Sequence, residues 1–299
     1  MYLILGATGH IGNLVAKDLL SRGKQVRVVC RDEDKLKDLV KLGAKPFAGN
    51  ISDKSFVNKA FTGIEAAFCL IPPNLLSKNI RSEQQKIARN YVEAVKSNGV
   101  KYVILLSSIG AHLGKGCGIV DGLAEMESRF SELKGVNVLN LRPGYFMENL
   151  YMQMSTIRSS GIIGSGIKAD IRFPLVATKD IAAVVSKHLN LLDFKGNTVE
   201  YVLGAKDLSF NEITRIISKA IDRNDMKYIT YPLEEWKMGL IQSGYISENV
   251  AGLYTEMTES FNNGKALNGH LRTHENTTTT TLEDFAKNIA YEYHRLSAA

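Results

Sequence analysis

Residues 2–12 read Tyr2-Leu3-Ile4-Leu5-Gly6-Ala7-Thr8-Gly9-His10-Ile11-Gly12, a short apolar run followed by three glycines at every third position. An amphipathic helical pattern follows and ends at Gly23. Glycines between a strand and a helix let a diphosphate approach the backbone, and free N–H groups at the helix start stabilise its charge. This order predicts a dinucleotide-binding loop rather than a purely structural turn. The predicted cofactor-binding residues of the loop are Gly6, Thr8, Gly9, His10, Ile11 and Gly12.

The first 150 residues alternate β-rich runs with segments of helical period, which predicts a parallel sheet with crossover helices. Most of the runs are continuously apolar, as strands covered on both faces should be. Six strands are predicted, at Tyr2 to Leu5, Gln25 to Val29, Lys45 to Ala48, Ala66 to Ile71, Tyr102 to Ser107 and Val136 to Leu141. The expected fold class is therefore α/β, a Rossmann doubly wound parallel sheet.

Beyond Pro143 the pattern becomes less regular and indicates a smaller C-terminal α+β substrate lobe. We predict a dinucleotide-binding domain at 1–150 and the lobe at 151–299, interleaved with the first domain and not folding independently. Ser209 and Glu212 form a capping-box pattern, which predicts a helix start. The predicted elements are helices at Lys179 to Leu191, Phe210 to Ile221, Leu233 to Gln242 and Glu248 to Asn262, and strands near Pro174 to Ala177, Val199 to Leu203 and Tyr228 to Tyr231.

The residue at the end of the second strand indicates which coenzyme the loop binds. An acid there accepts hydrogen bonds from the ribose 2′-OH of NAD, whereas an arginine suits the 2′-phosphate of NADP. The strand here ends in Cys30-Arg31, and Lys35 adds a second positive charge. NADP(H) is therefore predicted over NAD(H). The alternative is that Asp32, which also suits a helix cap, contacts the ribose.

Composition limits the other possibilities. The 299 residues are 44% hydrophobic and 23% charged, which is typical of a globular protein. No apolar run approaches a membrane span, no secretory signal is recognisable, and three scattered cysteines favour reduced thiols, so a cytoplasmic protein without membrane contact is expected. The net charge of +6 comes from interleaved residues, so no nucleic-acid partner is predicted. No metal site is predicted either.

Three segments together resemble the NmrA-like family of atypical short-chain dehydrogenases/reductases: the glycine loop, Leu141-Arg142-Pro143-Gly144-Tyr145-Phe146-Met147-Glu148-Asn149, and Leu282-Glu283-Asp284-Phe285. The resemblance spans nearly the whole chain. It implies NAD(P) binding, with members that are NADPH-dependent quinone reductases, phenylpropanoid reductases or catalytically silent regulators. It also implies that Asn50 lies near the adenine and that Ile71, Pro72 and Ser107 flank the ribose and nicotinamide.

The sequence offers little acid–base machinery. None of the 12 tyrosines has a lysine four residues on, and Leu123 stands where related reductases of the family have a lysine. His112, after the fifth strand, is a weak candidate for a proton donor. Tyr145, Phe146 and Met147 form an aromatic and methionine-rich stretch suited to flat aromatic ligands, although core packing would explain it equally well.

Two functions are compatible with this sequence. The first is an NADPH-dependent reductase of quinones or similar carbonyl compounds, because hydride addition to a quinone needs mainly positioning and an apolar pocket. The second is a silent NADP(H) redox sensor that acts on a regulatory protein partner. Leu123 and the missing Tyr-Lys pair favour the sensor.

Overall fold

We describe a computed structural model of the chain, which covers residues 1–297. The strands are β1 (Tyr2–Leu5), β2 (Val26–Cys30), β3 (Lys45–Ala48), β4 (Ala66–Cys69), β5 (Tyr102–Leu106), β6 (Asn137–Pro143), β7 (Tyr145–Phe146), β8 (Ile162–Ser165), β9 (Phe173–Val176), β10 (Asn197–Val202), β11 (Asp207–Leu208) and β12 (Lys227–Thr230). The helices are α1 (His10–Ser21), α2 (Lys37–Lys41), α3 (Lys54–Ala60), α4 (Ile80–Asn98), α5 (Asp121–Ser131), α6 (Met154–Ser160), α7 (Thr178–Leu191), α8 (Phe210–Ala220), α9 (Leu233–Gln242), α10 (Glu248–Asn262) and α11 (Leu282–Ser297). Short 3₁₀ turns connect several of them.

The main sheet has seven strands in the order β10-β6-β5-β4-β1-β2-β3, and every adjacent pair is parallel. All six strands predicted for the first 150 residues are present, with ends that differ by at most two residues, so the Rossmann prediction is confirmed. Strand order reverses between β1 and β4, and ligands of open α/β sheets bind at such a switch point. The glycine loop follows β1 and therefore lies at that point.

The seventh strand corrects the sequence prediction. The run near Val199 to Leu203 was assigned to the C-terminal lobe, but Asn197–Val202 pairs with β6 and forms the edge of the main sheet. An edge strand is half exposed, so its residues alternate in burial and lack the continuous apolar run of the inner strands. Helix α7 also belongs to this layer, because Ile181, Val185 and Leu189 lie in the same apolar core as α1.

Two apolar cores cover the faces of the main sheet, and a third fills the lobe. The residues of α1 and α7 pack on one face, and those of α3, α4 and α5 pack on the other. In the lobe, the stacked rings of Phe210 and Tyr228 lie 4.6 Å apart beside Phe173 and Phe261. The bounds of α9 and α10 agree with the prediction, and Ser209 and Glu212 form the predicted capping box at the start of α8.

Candidate nucleotide-binding site

The glycine loop is shaped by two close approaches. Gly6 has φ +65°, and a Cβ there would lie 2.9 Å from the side chain of Leu70 at the end of β4. A Cβ at Gly12 would lie 2.4 Å from the carbonyl oxygen of Gly6. The Gly9 N–H donates to that same carbonyl at 3.0 Å. These contacts require glycine at positions 6 and 12 and hold the loop flat against the strand ends.

The start of α1 offers free amides. Gly9 is the N-cap residue, and no side-chain hydrogen bond caps the helix in the part of the chain that the structure describes. The first N–H groups of a helix have no intrahelical partner, so those at His10, Ile11 and Gly12 are available to an anion. Thr8, Gly9 and His10 are exposed, whereas the Ile11 side chain is buried in the core and contributes only its backbone. The loop therefore has the geometry that a diphosphate requires.

A cleft of about 730 Å³ opens beside this loop, at the carboxyl ends of β1 to β4. Several predicted residues line it, namely Gly6, Thr8, Arg31, Asn50 and Pro72. The other predicted contacts do not line it, namely Gly9, His10, Ile11, Gly12, Lys35, Ile71 and Ser107. Gly9 and His10 instead line a separate pocket of about 440 Å³, together with Thr8. Among the lining residues that the sequence analysis missed are Glu83 and Lys86 from α4 and Tyr245 from the turn between α9 and α10.

The charges of the cleft favour an anionic ligand at one end. Arg31 and Lys86 both line it, and neither forms an ion pair within residues 1–297. Asp32 is engaged elsewhere, because its carboxylate accepts a hydrogen bond from the N–H of Asp34 at 3.1 Å. The carboxylate of Glu83 is likewise held inside the protein, by the Asn74 side-chain amide and the Ser77 hydroxyl.

The nicotinamide end of the predicted site lies further along the sheet, where β5 and β6 end. The N–H of Ser107 donates to the carbonyl of Leu141 at 2.8 Å, and that of Ile109 donates to the carbonyl of Pro143 at 2.9 Å. Ser107 is 3% exposed, and its hydroxyl has no hydrogen-bond partner in the described part of the chain. These bonds fix the two strand ends side by side.

Comparison with known proteins agrees with this geometry. The model of the NmrA-like family matches residues 2–289. The chain belongs to the NmrA-like family. It is 26% identical over 261 residues to an NAD(P)H azoreductase of Xenophilus azovorans, and this match covers 86% of each chain.

Solved structures show the same NmrA-like fold. An NADPH-dependent quinone oxidoreductase of Escherichia coli superposes with a TM-score of 0.79 at 19% identity, over 97% of this chain and 99% of its own. The Citrobacter sp. triphenylmethane reductase complexed with NADP(H) gives a TM-score of 0.78 at 18% identity, over 97% of this chain and 100% of its own. At these identities the likeness establishes the fold and not a shared substrate.

The Arg-Pro-Gly segment that suggested the NmrA-like family is structural in this chain. The Arg142 guanidinium forms hydrogen bonds with both carboxylate oxygens of Glu127, at 3.0 and 2.5 Å, and donates to the Tyr201 hydroxyl at 3.0 Å. Both charged side chains of the pair are largely buried, at 12% and 9% exposure. The pair therefore joins α5, β6 and β10 at the carboxyl edge of the sheet.

A second charged contact joins the lobe to α7. The carboxylate of Glu148 accepts hydrogen bonds from the N–H and the hydroxyl of Thr178, at 3.0 and 2.6 Å. Two residues on, the carboxylate of Asp180 accepts bonds from the N–H and hydroxyl of Thr280. An acid at a helix N-terminus stabilises the free amides there, so Glu148 caps α7.

The three residues predicted for the substrate pocket pack into cores in this structure. The Tyr145 ring lies 5.4 Å from Phe173 and 6.1 Å from Phe210, and burial raises the pKa of its phenol. Phe146 packs against the core of the main sheet, and Met147 is buried in the lobe. None of the three lines the 730 Å³ cleft. Their role toward a substrate stays a prediction.

His112 follows β5 in the chain, and its ring packs against Gly269 in the segment before α11. A Cβ on Gly269 would lie 2.1 Å from its Nδ1 atom, so the ring packs directly on that glycine. Burial lowers the pKa of the His112 imidazole, and the positive charge of Arg142 lowers it further. The ring is therefore mainly neutral at neutral pH, and it is a poor source of a proton.

Proposed function

We propose that this NmrA-like protein binds NADP(H) and reduces quinones or similar aromatic carbonyl compounds. The observation that carries the proposal is the cleft itself. Gly6 and Thr8 of the glycine loop line it, the free helix amides that suit a diphosphate follow directly in the chain, and Arg31, also in the lining, forms no ion pair within residues 1–297. A volume of about 730 Å³ suits a ligand of nucleotide size.

The preference for NADP(H) is part of this proposal. A planar guanidinium binds a phosphate through paired hydrogen bonds, and Lys86 adds a second positive charge to the lining of the cleft. Asp32 already caps the turn that follows β2 and is not among the lining residues. These contacts favour a 2′-phosphate over a free 2′-hydroxyl.

The reductase mechanism assigns this chain binding and orientation rather than proton transfer. When bound, the nicotinamide supplies a hydride that adds to the quinone, and one proton from solvent completes the hydroquinone. The loop amides and Arg31 would hold the diphosphate and the 2′-phosphate of the coenzyme, and backbone hydrogen bonds at Ser107 and Ile109 keep the ends of β5 and β6 rigid beside the site. Proximity of this kind lowers the barrier without an acid or base on the protein.

The direct test compares Arg31→Asp with Lys41→Asp, a matched charge reversal at an exposed position on α2. Dissociation constants for NADPH and NADH are measured by calorimetry. Arg31→Asp should weaken NADPH at least about tenfold and leave NADH nearly unchanged, because one charged hydrogen-bonded pair is lost only with NADPH. Equal loss for both coenzymes would contradict the NADP assignment.

A redox sensor is the second candidate function. Leu123 replaces the lysine of related reductases, the His112 ring is mainly neutral, and Tyr145 and Met147 are engaged in the lobe core. NADPH oxidation with a panel of quinones and azo compounds separates the two functions. Turnover supports the reductase, whereas tight NADPH binding without turnover on the whole panel supports a sensor with a protein partner.

A further inference from the structure

Tyr245 contributes an unusual side chain to the nucleotide cleft. It comes from the C-terminal lobe, whereas the other lining residues come from the first half of the chain. Its side chain is 78% exposed, and Leu76 on the loop after β4 is 64% exposed at the same cleft. Large apolar groups at the rim of an open cleft can bury surface when a ligand enters.

The two segments that carry these side chains are tied together. The N–H of Ser247 donates to the carbonyl of Leu75 at 2.8 Å, and its hydroxyl donates to the carbonyl of Ser77 at 2.5 Å. The Asn249 side chain accepts a hydrogen bond from the N–H of Ile80 at 3.0 Å. The backbone after Tyr245 is therefore anchored at the cleft, while no neighbouring group holds the ring away from solvent.

Other residues of the cleft indicate which half of a nucleotide the ring would meet. Arg31, Asn50 and Lys86 share the cleft with Tyr245, and all three are on the adenosine side of the proposed site. Of the residues predicted beside the ribose and nicotinamide, Pro72 lines the cleft, whereas Ile71 and Ser107 do not, and neither does Tyr145 of the predicted substrate pocket. An aromatic ring stacks well on a purine base, because both present flat π-faces.

We propose that Tyr245 stacks on the adenosine half of the bound coenzyme, so that the C-terminal lobe contributes a binding residue to the nucleotide site. This inference rests on the proposed NADP(H) binding. It makes Tyr245 a determinant of coenzyme affinity, distinct from residues that contact a substrate. The ring acts through its face, so the phenol hydroxyl is dispensable.

The test measures dissociation constants for NADPH and for adenosine 2′,5′-bisphosphate, which lacks the nicotinamide half. Tyr245→Ala should raise both constants about tenfold, because one base–aromatic stack is lost. Tyr245→Phe should bind both ligands like the wild type. The control is Tyr291→Ala, at an α11 tyrosine that is 68% exposed and does not line the cleft.

Two results would overturn the inference while the proposed function stands: wild-type affinity of Tyr245→Ala for both ligands, or a loss confined to NADPH. A wild-type protein that binds neither ligand would overturn the proposed function as well. Thermal unfolding of each variant confirms that the exposed positions tolerate substitution.

Discussion

The Cβ atom that any other residue would carry at position 12 falls 2.4 Å from the carbonyl oxygen of Gly6. Because this contact involves backbone, Gly12→Ala must displace the loop, and we expect a loss of about 1–3 kcal/mol in unfolding free energy together with weaker NADPH binding. The control is Gly252→Ala on α10, where nothing lies within 4 Å and helix propensity predicts a gain of about 0.5–1 kcal/mol. Urea unfolding and calorimetry measure the two effects. Wild-type coenzyme affinity in Gly12→Ala would contradict the loop assignment.

The buried pair of Arg142 and Glu127 should be costly to break. Glu127→Ala leaves the guanidinium inside the protein without its carboxylate, and we expect about 3–5 kcal/mol of destabilisation by urea unfolding. Asp38→Ala breaks an exposed pair with Lys41 and should cost less than about 1 kcal/mol. Similar losses of unfolding free energy in the two variants would show that the buried pair stabilises the protein no more than the exposed pair.

His188 provides a pH-dependent contribution to stability. Its ring lies 3.0 Å from the Glu200 carboxylate and 2.6 Å from that of Asp193, at the end of α7. The Glu200 carboxylate beside Nε2 raises the pKa of the imidazole, burial lowers it, Asp193 raises it again, and Lys187 is the cation beside Asp193. Protonation therefore stabilises the folded state. This contribution is complete below the unfolded pKa of about 6.5 and is lost as pH rises through the higher folded pKa.

Thermal unfolding across pH tests that contribution. The difference in Tm between the wild type and His188→Gln should be largest near pH 6 and smallest near pH 9, which is on the order of two units above the ordinary histidine pKa. Glu200→Gln removes the first partner and should reduce the same pH-dependent part. A difference that grows with pH would have the wrong sign for this explanation.

His112 should contribute little to turnover. Because its half-buried imidazole has a lowered pKa and is mainly neutral, His112→Gln is expected to change kcat less than about tenfold, whereas loss of a true general acid costs about 10²–10⁴-fold. The measurement is the pH profile of NADPH oxidation with a quinone that the wild type reduces. Disappearance of an alkaline limb in the variant would restore His112 as a proton donor.

The sequence predicted those features that local patterns determine. The glycine spacing and the apolar runs of β1 to β6 are contiguous, so their order and type could be recognised without tertiary information. The edge strand β10 was misassigned because its burial alternates. Arg31 could be placed in the cleft because it directly follows a strand whose carboxyl end faces the ligand.

Residues that reach the cleft from distant parts of the chain could not be predicted in this way. Lys86 lies within a long amphipathic helix, where the sequence does not distinguish it from a charged residue on the solvent-exposed face. Tyr245 is brought to the cleft by hydrogen bonds between Ser247 and the loop at Leu75 and Ser77, more than 160 positions away. The stretch at Tyr145 has a composition that suits a ligand pocket and a core alike, and only the fold distinguishes the two.

The placement of α7 and β10 has a consequence for engineering. These elements come late in the chain, yet they complete the first sheet and cover one of its faces. A fragment cut after residue 150 would leave the β6 edge unpaired and apolar surface uncovered, a combination that promotes self-association. Chimeras that exchange specificity modules between reductases of this kind therefore need at least two junctions, placed so that residues 178–202 travel with the nucleotide half.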